Sequence, residues 1–143
     1  MAVEWGEYLS VGVARIDDQH KEIFRRINAL MDAINEGDGA TQVIEAIKFL
    51  ENYTVTHFAD EEGLMAETCY SVLGPHRKEH EKFCMDVQLL KQRITTEGTT
   101  KMNILKTSQA LISWLVQHIL ATDKALAAHL SSTWNNKAEE ETT

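Results

Sequence analysis

Proline occurs once and glycine seven times in 143 residues. A chain so poor in turn-forming residues builds neither a many-stranded β-sandwich nor a Pro/Gly-rich disordered segment, and long helices are favoured instead. Cysteine is nearly absent as well. Cys69 and Cys84 lack metal-type spacing and make no disulfide framework, which suits a reduced thiol pair. Positive charge is short: 14 Lys and Arg stand against 22 Asp and Glu, for a net charge of −8. Nucleic acid and anionic membrane surfaces are recognised by basic faces, so neither is expected as a partner. Long hydrophobic runs are missing too. The most apolar stretch, ALISWLVQHILA, is broken by Gln117 and His118 and is too short to span a bilayer. The first residues, MAVEWGEYLS, have neither the basic segment nor the apolar segment of a secretory leader. A cytoplasmic location is therefore expected.

What remains is an ordinary globular balance, 43% apolar and 25% charged, in a length that suits one domain with a sizeable core. After an irregular arm containing Trp5 and Tyr8, apolar residues recur at helical spacing from near Asp17, a candidate N-cap, through Ile23, Phe24, Ile27, Leu30 and Ile34 to Gly37. Thr41 can cap a second helix through Val43, Ile47, Leu50 and Phe58, fading after Met65. Pro75 suits the first turn of a third helix, whose stripe is Phe83, Val87 and Leu90. A fourth helix is predicted from about Lys101 to Ser131. The short connections imply an all-α, up-down-up-down four-helix bundle over residues 1–134, with an irregular N-terminal arm and a flexible acidic tail at 135–143.

That topology makes the histidine positions informative. The starts of the first and third helices lie level with the ends of the second and fourth. His20 opens the first helix, His57 and Glu61 close the second, His76 and His80 open the third, and His118 and Asp123 lie toward the end of the fourth. All four helices thus bring ligand-type side chains to one end. Residues four apart have Cβ atoms about 5–6 Å apart on one helix face, so His57/Glu61 and His76/His80 can each present two donors to one centre. His118 and Asp123, five apart, diverge more. Any one pair is commonly a surface coincidence, and the run Asp60-Glu61-Glu62 is commonly a solvated face; it is the convergence of seven residues that argues for a site. Imidazole-rich N/O ligation without thiolate suits iron, copper or zinc better than magnesium or calcium. Ile23, Phe58, Phe83, Trp114, Leu115 and Ile119 lie within four residues of a candidate ligand and suit a lid, although any bundle core needs such residues. His129 stands apart, and Cys84 reads as a buried free thiol.

The stretches GVARIDDQHKEIF, HFADEE followed by LM, HRKEHEKF and WLVQHILATDK, in that order, resemble the hemerythrins, specifically the bacterial hemerythrins. The resemblance spans residues 5 to about 130 and implies a non-haem di-iron centre. On that resemblance one iron takes His76, His80 and His118, and the other takes His20 and His57. Glu61 and Asp123 bridge the two irons beside an oxo or hydroxo bridge, and Ile23, Phe58, Phe83, Trp114, Leu115 and Ile119 line the oxygen pocket. Two positions depart from the family pattern. Leu126 stands where many relatives have tyrosine, and Ser71 where many have proline.

The expected function is reversible dioxygen binding for carriage, storage or sensing, either as a free protein or as the sensor domain of a chemotaxis-type receptor. Carboxylate-rich di-iron bundles carry Glu-x-x-His motifs. This chain has none, and its neutral imidazoles favour binding over O–O cleavage. A di-iron enzyme acting on peroxide, nitric oxide or a small oxidisable substrate is the alternative. Iron storage would want more interior carboxylates, and a zinc hydrolase would want the second histidine that HEKFC at 80–84 lacks.

Overall fold

The computed structural model describes residues 4–37, 40–97 and 101–142. Its described residues form four helical rods and no strand. A short 3-10 turn, Glu7–Leu9, precedes α1 (Ala14–Asn35), α2 (Ala40–Glu67) and α3 (Leu73–Glu97). The fourth rod is composite: α4 (Lys101–Gln117), a π-helical turn (His118–Asp123) and α5 (Lys124–Thr142). Helix α1 packs on α2 and α4, and α3 packs on the same two, which closes the antiparallel square of a four-helix bundle.

The helix ends show where local signals held. Gly37 takes φ 73° after α1, the left-handed conformation that a terminating glycine tolerates. The expected turn continues through Asp38 and Gly39, which lie outside the described residues, as do Gly98, Thr99 and Thr100 before α4. Asp17 is not the N-cap. Helix α1 begins at Ala14 after an extended Val13, and no side chain caps it. From inside the first turn the Asp17 carboxylate instead accepts hydrogen bonds from Ser10 Oγ (2.6 Å) and the Val11 N–H (2.9 Å). These bonds, the Lys21 ammonium 4.5 Å from the Trp5 ring centre and the fully buried Leu9 pin the arm to the bundle. Thr41 likewise stands within α2, which starts at Ala40.

Helix α2 ends in paired bonds, Tyr70 N–H to Met65 C=O and Cys69 N–H to Ala66 C=O, with Cys69 at φ 54°. This is the Schellman pattern with cysteine where glycine is usual. Pro75 does fall in the first turn of α3. The last helix does not stop near Ser131: its backbone stays helical to Thr142, and residues 101–142 contain neither glycine nor proline to break it.

Two apolar clusters hold the bundle. The larger one includes Ile27, Leu30, Ile34, Val43, Ile47, Val87 and Leu90, and reaches down to Ile23, Phe58, Phe83, Leu115 and Ile119. The smaller one, made of Val13, Ile16, Met65, Leu126, Ala127 and Leu130, closes the other side of the histidine level. Leu126 is thus a fully buried packing residue, whereas Ser71 lies exposed in the α2–α3 loop. Among the described residues no helix is long and apolar enough to cross a membrane.

Candidate metal centre

All seven residues singled out from the sequence meet between these clusters, each at most 2% exposed. His20 comes from α1, His57 and Glu61 from α2, and His76 and His80 from α3. His118 and Asp123 are the two ends of the π turn. That turn resolves the spacing problem. An α-helix would splay residues five apart, but i→i+5 hydrogen bonding widens the turn. His118 Nε2 and Asp123 Oδ1 are then 3.1 Å apart.

The two carboxylates divide the histidines. Glu61 Oε1 faces His76 Nε2 (3.4 Å) and His80 Nε2 (3.2 Å), while its Oε2 faces His57 Nε2 (3.3 Å). Asp123 Oδ1 faces His76 Nε2 (3.2 Å) and His118 Nε2, while its Oδ2 faces His20 Nε2 (3.0 Å). Two donor sets result. His76, His80 and His118 share one oxygen of each carboxylate, and His20 and His57 share the other. Within each set one ligand atom per residue lies within 4.8 Å of all the others.

Whether this arrangement suits cations can be judged from its unmet bonding. None of the inward Nε2 and carboxylate oxygen atoms has a hydrogen bond of acceptable geometry among the described residues, although all are buried. Buried polar atoms are normally satisfied, and leaving so many unsatisfied costs roughly 1–3 kcal/mol each. Charge leads to the same conclusion. Burial, and then the Asp123 charge, push the Glu61 carboxyl up, but His57, His76 and His80 outweigh both and hold it well below the usual carboxylate range. Asp123 is raised by burial and pulled down further by His118, His20 and His76. Burial favours neutral His76, yet Asp123 and Glu61 push it up to about 9. His118 is also raised, with Asp123 overcoming burial. The carboxylates stay ionised and draw positive charge toward themselves, which metal cations would supply directly.

A second layer orients two of the rings. His57 Nδ1 lies 2.6 Å from Gln19 Oε1, and Gln19 Nε2 donates to Asp60 (2.8 Å), which also pairs with Arg15 (2.9 Å). His118 Nδ1 lies 3.3 Å from Glu79, whereas His80 Nδ1 has no hydrogen bond among the described residues, the Glu62 carboxylate standing 3.6 Å away and held by Arg77. The acidic run Asp60-Glu61-Glu62 is therefore split: Glu61 points inward, while its neighbours work at the rim. Sequence reasoning missed Gln19, Glu79 and Thr122. The adjacency of Gln19 to His20 and of Glu79 to His80 was a signal only once helix facing was known.

Two of the six residues expected to line a pocket lie against rings of the cluster. Phe58 stacks on His80 (3.9 Å between centroids, 8° between planes), and half-buried Trp114 stacks on His118 (4.9 Å, 12°). Ile23, Phe83, Leu115 and Ile119 are buried in the same apolar cluster as Phe58. Cys84 is half-buried in a cleft with Phe58 and His80, its thiol pushed up mainly by burial. His129 stays outside the centre, with Nε2 2.9 Å from Thr68 Oγ1 and 3.2 Å from the Thr68 carbonyl at the end of α2.

Fold and donor set together define a four-helix-bundle protein with a candidate two-metal centre. Residues 11–130 match the family model for the hemerythrin HHE cation binding domain. A bacteriohemerythrin from Pseudomonas paraeruginosa is 37% identical over 119 residues, 83% of this chain and 75% of that protein. A myohemerythrin from Sipunculus nudus is 32% identical over 119 residues, 83% of this chain and 86% of that one. The crystal structure of a wild-type hemerythrin superimposes with a TM-score of 0.81 at 30% identity, covering 92% of this chain and 99% of that one. The chain belongs to the hemerythrin family.

Proposed function

We propose that this protein binds dioxygen reversibly at a non-haem di-iron centre held by His20, His57, Glu61, His76, His80, His118 and Asp123. The observation that carries the reading is the division of both carboxylates between a three-histidine set and a two-histidine set. Glu61 and Asp123 would bridge the irons, one oxygen to each. His76, His80 and His118 would complete one iron's protein ligands, and His20 and His57 the other's. The second set, one imidazole poorer, leaves room for an outside ligand. Bound iron would supply the electrons that capture dioxygen and would recover them on release.

The surrounding side chains favour binding over turnover. Ile23, Phe58, Phe83, Leu115 and Ile119 are at most 3% exposed and carry no titratable group, so they exclude water without offering an acid or base. Donation from imidazole, rather than from many carboxylates, keeps negative charge off the metals. An enzyme acting on peroxide, nitric oxide or a small oxidisable substrate would want a proton relay that these residues lack. Carriage, storage and sensing all use the same chemistry. A sensor, alone or within a receptor, would move the pinned arm around Trp5 or the last helix. In this reading residues 1–134 are the binding unit, 135–143 an acidic extension, and the free thiols Cys69 and Cys84 suit the cytoplasm.

The test is iron per chain together with the visible spectrum of the reduced protein cycled between air and argon. Two irons and a colour that comes and goes are expected. A single irreversible oxidation would replace binding by redox catalysis or redox sensing. No iron after reconstitution would overturn the reading.

A further inference from the structure

The outer layer of the candidate centre is unequal in charge, and the inequality singles out Glu79. His57, in the two-histidine set, rests on the neutral amide of Gln19 at 2.6 Å. His118, in the three-histidine set, rests on the Glu79 carboxylate at 3.3 Å. Glu79 has a second attachment. Thr122 Oγ1 donates to both of its oxygens, at 2.9 and 3.0 Å. Thr122 and His118 both lie in the π turn His118–Asp123, whereas Glu79 belongs to α3. One carboxylate on a neighbouring helix therefore grips the only described non-α turn of the fourth rod at two points.

The tautomer follows from the geometry. His118 Nε2 points inward, 3.1 Å from Asp123 Oδ1. With Nε2 committed to the centre, the ring proton resides on Nδ1 and is donated to Glu79. A carboxylate accepting that proton makes the imidazole a stronger donor and fixes its plane. The Trp114 ring lies against the same imidazole nearly parallel, at 12°, and confines it from the side.

We propose that Glu79 is a positioning residue for the metal centre. Through Thr122 it holds the widened turn that lets His118 and Asp123 face the same point. Through His118 Nδ1 it adds negative charge to the three-histidine side alone. The two half-sites thereby differ in electron richness as well as in ligand number. This inference rests on the di-iron reading above.

Three variants separate its two tasks: Glu79→Gln, Thr122→Val and, as a charge-matched control on the same helix, Glu81→Gln, whose side chain is exposed. Zn²⁺ affinity is measured by chelator competition, the midpoint potential on iron-loaded protein, and folding by the thermal melt of the metal-free chain. Glu79→Gln should lose about 10- to 100-fold in Zn²⁺ affinity and shift the midpoint potential upward, with the melt near that of the parent protein. Thr122→Val should weaken Zn²⁺ binding while leaving the potential in place. If Glu79→Gln matches Glu81→Gln in both affinity and potential, the proposal is overturned and the di-iron reading stands. If the parent protein takes up neither Zn²⁺ nor iron, both are overturned together.

Discussion

The two ends of this bundle are built from the same inward-facing helical positions and filled with opposite chemistry. At the far end, Ile27, Leu30 and Ile34 of α1 meet Val43, Ile47 and Leu50 of α2 and Val87, Leu90 and Ile94 of α3, all buried and apolar. At the near end the equivalent faces carry five histidines and two carboxylates, just as deeply buried. Burying an ionised group without compensation is costly. The comparison teaches a division of labour: the apolar end holds the helices in register, and that register aims the buried polar groups of the near end at one another.

Substitutions can break this division, and the largest effect is expected at the near end. His118→Ala should remove metal from the three-histidine set, with iron per chain falling and the visible spectrum lost or altered. Metal analysis and absorbance check this; an unchanged spectrum would remove His118 from the site. Next in size, Leu30→Ala at the far end should cost about 2–5 kcal/mol of folding stability through the cavity it leaves. The spectrum of the protein that remains folded should be unaltered. Chemical denaturation followed by both helicity and colour separates the two effects.

Adding metal sharpens the comparison from the other side. At 100 times its dissociation constant a ligand stabilises the folded chain by roughly 2.7 kcal/mol. Hydrogen exchange should show that protection at the near end, around His57–Glu61 and His76–His80, above any change at Ile27–Ile34. Uniform protection along the helices would mean that the ends are not separable. The smallest effect is expected at His129. His129→Ala removes the tie to Thr68 and should cost about 1 kcal/mol in a thermal melt, with iron content unchanged. Equal metal loss from His118→Ala and His129→Ala would undo the assignment of the centre.

Much of the centre could be read from residue order because helix polarity is a simple rule. In an up-down-up-down bundle His20, His57, His76 and His118 fall at one level whatever the details of packing, and i,i+4 spacing aims His57 with Glu61 and His76 with His80. The α-helical period failed at one place, His118 and Asp123, because a π turn is stabilised by its surroundings more than by a sequence pattern of its own. Asp17 was misread as a cap because its acceptor oxygens serve Ser10 and Val11 from within the helix, and a cap preference does not distinguish the two positions. The final helix outran its expected end because nothing after Lys101 breaks it.

By itself, then, the sequence determined the helical class, the order of the rods, the identity of the seven inward polar residues and the apolar character of what encloses them. Periodicity and chain direction are local properties, and they suffice for that. Only the tertiary structure decided which oxygen of Glu61 and Asp123 faces which histidines. The same is true of the widened turn at His118, and of the rim residues that orient two of the rings, Gln19 and Glu79. Those outcomes depend on how helices distant in sequence rotate against one another, and a rotation of a few tens of degrees about a helix axis leaves no trace in the order of its residues.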